Sequence, residues 1–116
     1  MKKTTHTIDA SGRTLGRVAS EAAKALMGKM SADYTPNVLS DVKVTVTNAS
    51  KIYTREKKKI QKTYTKYSGF PGGLKKETLA MMNARKPGEA VRVAVQRMLP
   101  RNTMLVARMK NLTITQ

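Results

Sequence analysis

The fold is decided near the N-terminus, where residues 5–28 read THTIDASGRTLGRVASEAAKALMG. Thr5 to Ala10 is β-prone and runs into Ser11-Gly12, a pair typical of turns. Gly28 is well placed to end a helix. The apolar residues before it recur at helical spacing on one side of a helical wheel: Leu15, Val18, Ala19, Ala22 and Leu26. The stretch therefore predicts a strand followed by an amphipathic helix, with one face packed against the core and the other exposed to solvent.

The middle of the chain predicts a second strand and then a basic arm. Three valines alternate with polar residues between positions 42 and 47, as in a half-buried strand. A loop is predicted before it at Tyr34–Asn37, and Asn48-Ala49 closes it. From Lys51 to Lys66 bases are dense and β-prone tyrosines are interleaved. That mixture favours a twisted hairpin or extended arm over a helix.

Helix signals return after Pro71-Gly72-Gly73, which breaks the chain. A short helix is predicted from Lys75 to Lys86, with Leu79 and Met82 facing inward and Pro87-Gly88 as its stop.

The next helix begins at Glu89, whose charge is favourable in a first turn, and Pro100 ends it. Its apolar stripe consists of Val91, Ala94, Val95 and Met98. Leu112-Thr113-Ile114 then predicts a short last strand. Alternating strands and helices in 116 residues, with no linker and no internal repeat, indicate one α/β domain over residues 1–116.

Charge is distributed unevenly along the chain. Its 23 Lys and Arg against seven acids give a net charge of +16, and the segment from Lys51 to Lys110 alone carries +13. The first 50 residues carry only +3. Such asymmetry argues against charge serving solubility alone and predicts a polyanionic partner.

Several chemical classes are disfavoured by composition. The chain has no Cys, so it has no disulfide, thiol nucleophile or thiolate zinc site. Apolar segments are too short to span a bilayer, and no signal-peptide core follows the N-terminal lysines. The helical faces are apolar, as a core requires, and not basic and amphipathic as at a membrane surface. We expect a soluble intracellular protein without a membrane partner.

A phosphate-binding enzyme is a weak alternative. Gly12 and Gly16 flank a strand-to-helix turn, where helix amides can hold phosphate. The third glycine of a dinucleotide fingerprint is missing, and Gly28-Lys29 is followed by Met30, where a P-loop needs Ser or Thr. We expect no small-molecule substrate and no cofactor.

Acid–base catalysis and metal binding are also disfavoured. His6 is the single imidazole of the chain, and general acid–base work requires two titratable groups held together. Asp9, Asp33 and Asp41 match no calcium loop and suit capping or turn roles better. We therefore predict a protein that is not an enzyme and holds no metal.

Two basic clusters are the candidate binding sites. The segment from Lys51 to Lys66 has Glu56 as its only acid, and its lysines would displace counterions from phosphates. Tyr53, Tyr64 and Tyr67 could stack on unpaired bases or pack in the fold, and the sequence leaves both open. The second cluster lies at the end of the last long helix, where arginine suits bidentate phosphate contact: Arg97, Pro100, Arg101 and Asn102, extended by Arg92 and Arg108.

The sequence resembles the large-subunit ribosomal proteins of the L-thirteen family in their bacterial form. The matching motifs occur in the same order as in the family, along almost the whole chain: Ile8-Asp9-Ala10, Leu15-Gly16-Arg17, Gly28-Lys29, Tyr34-Thr35-Pro36, Asn48-Ala49 with Lys51, Lys62 with Tyr64, Ser68-Gly69, Gly72-Gly73 and Met98-Leu99-Pro100. Any one match is weak, whereas the ordered set is specific.

The resemblance implies a three-layer α/β/α domain with a small central, mostly parallel sheet. It implies a structural protein that binds large-subunit ribosomal RNA early in assembly, without catalysis. The family's RNA-facing bases fall on Arg13, Arg17, Lys29, Lys51, Lys62, Lys75, Arg97 and Arg101. Ser68, Gly69, Gly72 and Gly73 would let backbone approach phosphate. The charge run adds Lys57, Lys58 and Lys59 to this predicted interface.

The chain departs from the family pattern near its C-terminus. Leu105-Val106 stands where a Gly-Arg pair is usual, and Arg108 is the nearby replacement. Neighbouring large-subunit proteins are the further partners implied, with no obligate homo-oligomer. The implied location is the ribosome in the cytoplasm, with an organelle ribosome left open. A free-standing RNA chaperone or messenger-binding translational regulator is the alternative function.

Overall fold

A computed structural model describes residues 4–30, 32, 37, 39 and 42–116. The predicted loop at Tyr34–Asn37 lies outside the described residues except for Asn37. The elements in chain order are β1 (Thr4–Asp9), α1 (Leu15–Met27), β2 (Val42–Thr47), a short 3-10 turn (Ala49–Lys51), α2 (Glu56–Gln61), β3 (Thr63–Tyr67), β4 (Leu74–Thr78), α3 (Leu79–Arg85), α4 (Glu89–Met98), α5 (Leu105–Lys110) and β5 (Leu112–Ile114).

The central sheet has the strand order β1-β2-β5, and both pairings are parallel. Val44 lies opposite His6 on one side and Leu112 on the other. The alternation predicted for β2 is confirmed, since its three valines are buried and Lys43 is exposed. A second, antiparallel sheet pairs β3 with β4. The predicted α/β class with a mostly parallel sheet is therefore confirmed.

Helix α1 provides the core against which the other elements pack. It contacts β1, β2, α4 and α5, and its residues Val18, Ala19 and Ala22 are fully buried. Gly28 ends it in the left-handed conformation, with its N–H donating to the Ala25 carbonyl at 3.1 Å. The small alanines let a neighbouring helix come close, and α4 fills that space with Val91 and Val95. The predicted strand–helix unit is thus confirmed.

The opposite face of the central sheet is polar. Thr5, Thr7 and Asp9 are exposed on β1, and Thr45 and Thr47 are only half-buried on β2. Its threonine and lysine side chains offer little apolar area to bury.

The basic arm forms a helix where the sequence predicted extended chain. Residues 56–61 are helix α2, so the prediction of a hairpin over Lys51 to Lys66 holds only from Thr63 onward. Lys, Glu and Gln are good helix formers, Glu56 lies in the first turn, and Lys59 Nζ is 3.5 Å from Glu56 Oε1. These local preferences outweigh the β-propensity of the neighbouring tyrosines.

Three further features differ from prediction: the start of one helix, the presence of another, and the exposure of one residue. The helix predicted from Lys75 begins only at Leu79, because residues 74–78 pair with β3, although Leu79 and Met82 are buried as predicted. Helix α5 was not predicted at all. Met98, assigned to the apolar stripe of α4, is exposed. The last strand, β5, lies where it was predicted.

Candidate nucleic-acid interface

Four separate segments line an open cavity of about 270 Å³, which we call the tyrosine cavity. The start of α1, helix α2, strand β3 and helix α4 each contribute to it. Its lining residues are Leu15, Gly16, Lys58, Lys62, Tyr64, Val93, Ala94, Arg97 and Met98. Three of the predicted RNA-contacting residues, Lys58, Lys62 and Arg97, are thereby brought together although the first and last are 39 positions apart in the sequence.

Lys62 is held in place by the backbone around it. Its N–H donates to the Lys58 carbonyl at 3.0 Å, which ends α2, and its own carbonyl accepts from the Leu79 N–H at 3.0 Å. Thr78 caps α3, because its Oγ1 accepts from the Met81 N–H at 3.3 Å. The junction between α2 and β3 is therefore fixed to the start of α3, and Lys62 with it.

Tyr64 contacts two of the basic side chains that line the cavity. Lys62 Nζ and Arg97 Cζ lie over its ring, at 5.5 Å and 5.7 Å from the centroid. The side chain is only 9% exposed, and this burial raises the pKa of Tyr64, an effect that Arg97 partly opposes. The Tyr64 ring is therefore buried and in contact with two cations. Of the three tyrosines considered for stacking, only Tyr53 and Tyr67 are exposed.

The glutamates are already engaged with bases. Each lies within ion-pair distance of one: Glu21 of Arg13 at 2.8 Å, Glu56 of Lys59 at 3.5 Å, Glu77 of Arg85 at 3.0 Å and Glu89 of Lys86 at 3.6 Å. In the part of the chain that the structure describes, Lys58, Lys62 and Arg97 have no acidic partner. The tyrosine cavity is therefore a place where positive charge is left uncompensated.

The turn after β1 places Arg13 and Lys51 together at the carboxyl end of the parallel strands. The Gly12 N–H donates to the Lys51 carbonyl, and the Tyr53 N–H donates to the Arg13 carbonyl, both at 3.0 Å. Asp9 accepts hydrogen bonds at 3.0 Å from Asn48 Nδ2 and from the Ser11 N–H. These two bonds, that from Asn48 most of all, hold the pKa of Asp9 below its ordinary value. Asp9 is thus a turn residue, as its spacing suggested.

The β3–β4 hairpin presents a glycine loop and a second pair of bases. Gly69 and Gly72 adopt positive φ angles of 88° and 76°. The Gly73 N–H donates to the Phe70 carbonyl at 2.9 Å, and a Cβ at Gly73 would collide with Ser68 Oγ. The loop therefore requires its glycines to close.

Lys66 lies directly opposite Lys75 across the hairpin. Like charges in facing positions destabilise a sheet, and a bound phosphate would relieve them. The sequence singled out Lys75 but missed Lys66, since only the strand register shows that the two share a face.

The remaining predicted bases are spread more widely. Lys57 and Lys59 lie on α2 beside Lys58, and Arg101 is exposed after α4. Arg17 is exposed on the first turn of α1, whereas Lys29 follows its C-terminal end, about 20 Å further along the helix axis. Lys29 is therefore not part of the cluster around the tyrosine cavity.

Arg108 is the predicted contact that the structure contradicts. It lies on α5 and is only 2% exposed, and its Nε and Nη1 atoms have no hydrogen-bond partner. A phosphate outside the protein cannot reach a guanidinium enclosed in the fold. Arg108 thus does not belong to the surface interface, and its position on the inner side of α5 was invisible because that helix was not predicted.

No arrangement for catalysis or metal binding emerges in the residues described. His6 is half-buried on β1, and no group of three His, Cys, Asp or Glu side chains there could hold a metal ion. No described helix is long and apolar enough to cross a membrane.

The fold and this surface define a class, a small, strongly basic α/β protein with a cationic cavity suited to a polyanionic partner. A model of the family described as ribosomal protein L13 matches residues 3–115. The chain belongs to the ribosomal protein L13 family, which confirms the resemblance inferred from its residues.

Curated bacterial relatives agree with this assignment. The protein named large ribosomal subunit protein uL13 in Aquifex aeolicus is 48% identical over 107 residues, covering 92% of this chain and 74% of the relative. Its namesake in Thermus thermophilus is 50% identical over 97 residues, covering 84% and 69%. That of Tolumonas auensis is 41% identical over 114 residues, covering 98% and 80%.

Proposed function

We propose that this chain is a structural, non-enzymatic component of the large ribosomal subunit that binds large-subunit ribosomal RNA and supports early subunit assembly. It acts on the ribosome in the cytoplasm, beside neighbouring large-subunit proteins. Membership of the ribosomal protein L13 family and relatives named as large-subunit proteins support this role.

The observation that carries the proposal is the placement of uncompensated charge. Acidic side chains neutralise bases elsewhere, yet Lys58, Lys62 and Arg97 converge on one cavity without an acidic partner in the described residues. Phosphates of folded RNA are the natural counterions for such a surface, because their binding releases condensed cations and is strongly favourable at low salt.

Contacts of other kinds fit the domain to RNA shape. The loop at 68–73 brings exposed backbone and Phe70 to the tip of the hairpin, and Tyr53 and Tyr67 present open rings. Phosphate contacts fix position, whereas unpaired bases and bulges are recognised by shape and stacking. Specificity therefore comes from the tertiary form of the RNA.

The test is a salt series of RNA binding with the triple variant Lys57→Ala, Lys58→Ala, Lys59→Ala. Filter binding of a large-subunit RNA fragment is measured between 50 and 300 mM KCl, as roughly the range over which phosphate contacts dominate affinity. We expect weaker binding and a smaller slope of log Kd against log salt concentration. The slope should fall by an amount that corresponds to about two phosphate contacts, because Lys59 is already paired with Glu56.

The matched control removes the same charge elsewhere, by replacing exposed Lys24, Lys43 and Lys110 with Ala. It should leave the slope nearly unchanged. Equal slopes for both triple variants would contradict a localised interface. Sedimentation of the wild-type protein with the large subunit at high salt, lost after ribonuclease treatment, separates a ribosomal component from a free-standing RNA chaperone or messenger-binding regulator, which would move to light fractions.

A further inference from the structure

The lining of the tyrosine cavity contains residues of two chemical kinds. Lys58, Lys62 and Arg97 are cationic, whereas Val93, Ala94 and Met98 are apolar and lie on α4 together with Arg97. A phosphate alone would engage the cationic residues and leave the apolar residues without a partner. The ligand that fits both is an anion joined to a flat apolar group.

Tyr64 positions two of the cationic side chains. Both Lys62 and Arg97 lie over its ring, which restricts two flexible side chains before any ligand arrives. The ring itself is largely buried, so it does not offer a free face for stacking. The apolar residues that α4 contributes to the lining are the surface left for a base.

We propose that the tyrosine cavity binds one unstacked nucleotide of the RNA, with its phosphate against Lys58, Lys62 and Arg97 and its base against Val93, Ala94 and Met98. This inference rests on the proposed RNA-binding function. A cavity of about 270 Å³ is close to the size range of small-ligand sites and suits a single inserted base. A bulged base pays little for leaving its stack, which makes a bulge the fitting RNA feature.

The experiment compares three RNA hairpins: one fully paired, one with a single bulged adenosine, and one with an abasic site in the bulge. Wild-type protein should bind the adenosine bulge about fivefold or more tightly than either of the others, the effect expected when the apolar surface of one base is removed from water. The abasic hairpin keeps the bend and the phosphates, so the difference isolates the base.

The variant Ala94→Phe fills the cavity without changing charge. It should abolish the preference for the adenosine bulge, because the base can no longer enter. Ala84→Phe, the same substitution on an exposed position of α3, is the matched control and should keep the preference. Circular dichroism of both variants verifies that they fold.

Two results would overturn the inference. One is equal wild-type affinity for all three hairpins. If that binding still has a steep salt slope, the proposed RNA-binding function stands; if none of the hairpins binds, the proposed function fails as well. The other is displacement of RNA by adenosine monophosphate at concentrations below the Kd of the bulged hairpin, which would make the cavity a site for a free nucleotide.

Discussion

The first strand–helix–strand unit and the segment that follows it are built on different principles. In β1, α1 and β2 alternate or helically spaced apolar residues are buried, and the charge is small. In α2, the β3–β4 hairpin and α3, most side chains are exposed and the charge is high. The first region is stabilised by burial of apolar side chains. The second region exposes charged side chains and is anchored by a few buried residues, which include Leu79, Met82 and Tyr64.

This contrast is tested most strongly by making the same substitution in both regions. Ile8 on β1 is 3% exposed and Ile60 on α2 is 72% exposed. Ile8→Ala should lower the free energy of unfolding by about 2–5 kcal/mol, because it removes buried methyl groups and leaves a cavity. Ile60→Ala should change it by no more than about 0.5 kcal/mol. Urea denaturation measures both, and similar losses would mean that α2 packs far more tightly than its exposure indicates.

Arg108 lies on α5, outside both regions, and is a basic residue of the Lys51–Lys110 segment that is buried in the fold. A buried guanidinium whose Nε and Nη1 lack hydrogen-bond partners is costly, and an apolar side chain of similar length removes that cost. Arg108→Met should raise the free energy of unfolding by about 1–4 kcal/mol. Thermal denaturation measures the change.

The same variant tests whether Arg108 contacts RNA. Its salt slope in RNA binding should equal that of the wild-type protein. A slope flatter by one contact would show instead that the side chain leaves the core when RNA binds.

The smallest expected effect is the loss of stability at low pH. It arises from Asp9 in the first region and from Glu77 in the second. Hydrogen bonds lower the folded-state pKa of both carboxyls, that of Glu77 mainly through Arg85. Each therefore contributes stability that is present above its unfolded-state pKa and is lost as pH falls through the folded-state value. Below about pH 4 the melting temperature of the wild-type protein should approach that of Asp9→Asn. A difference that stayed constant from pH 7 to pH 2.5 would contradict this linkage.

Local sequence signals predicted the first region well because their physics is local. The spacing from Leu15 to Leu26 places one side of a helix against the core, and Gly28 tolerates the left-handed conformation that ends it. In the second region propensity and pattern disagreed. Tyrosines favoured strand over Lys51 to Lys66, whereas Glu56 and its lysines formed a helix, and strand pairing took residues 74–78 away from a predicted helix.

The site divides in the same way. The sequence alone determined that the chain is strongly basic, which half carries the charge, and which family it belongs to, since composition and ordered motifs need no coordinates. Only the tertiary structure brought Lys58, Lys62 and Arg97 around Tyr64, set Lys66 beside Lys75, and enclosed Arg108. The reason is physical: charge adds along a sequence, but whether a cation faces solvent, an acid or the core depends on how distant segments pack.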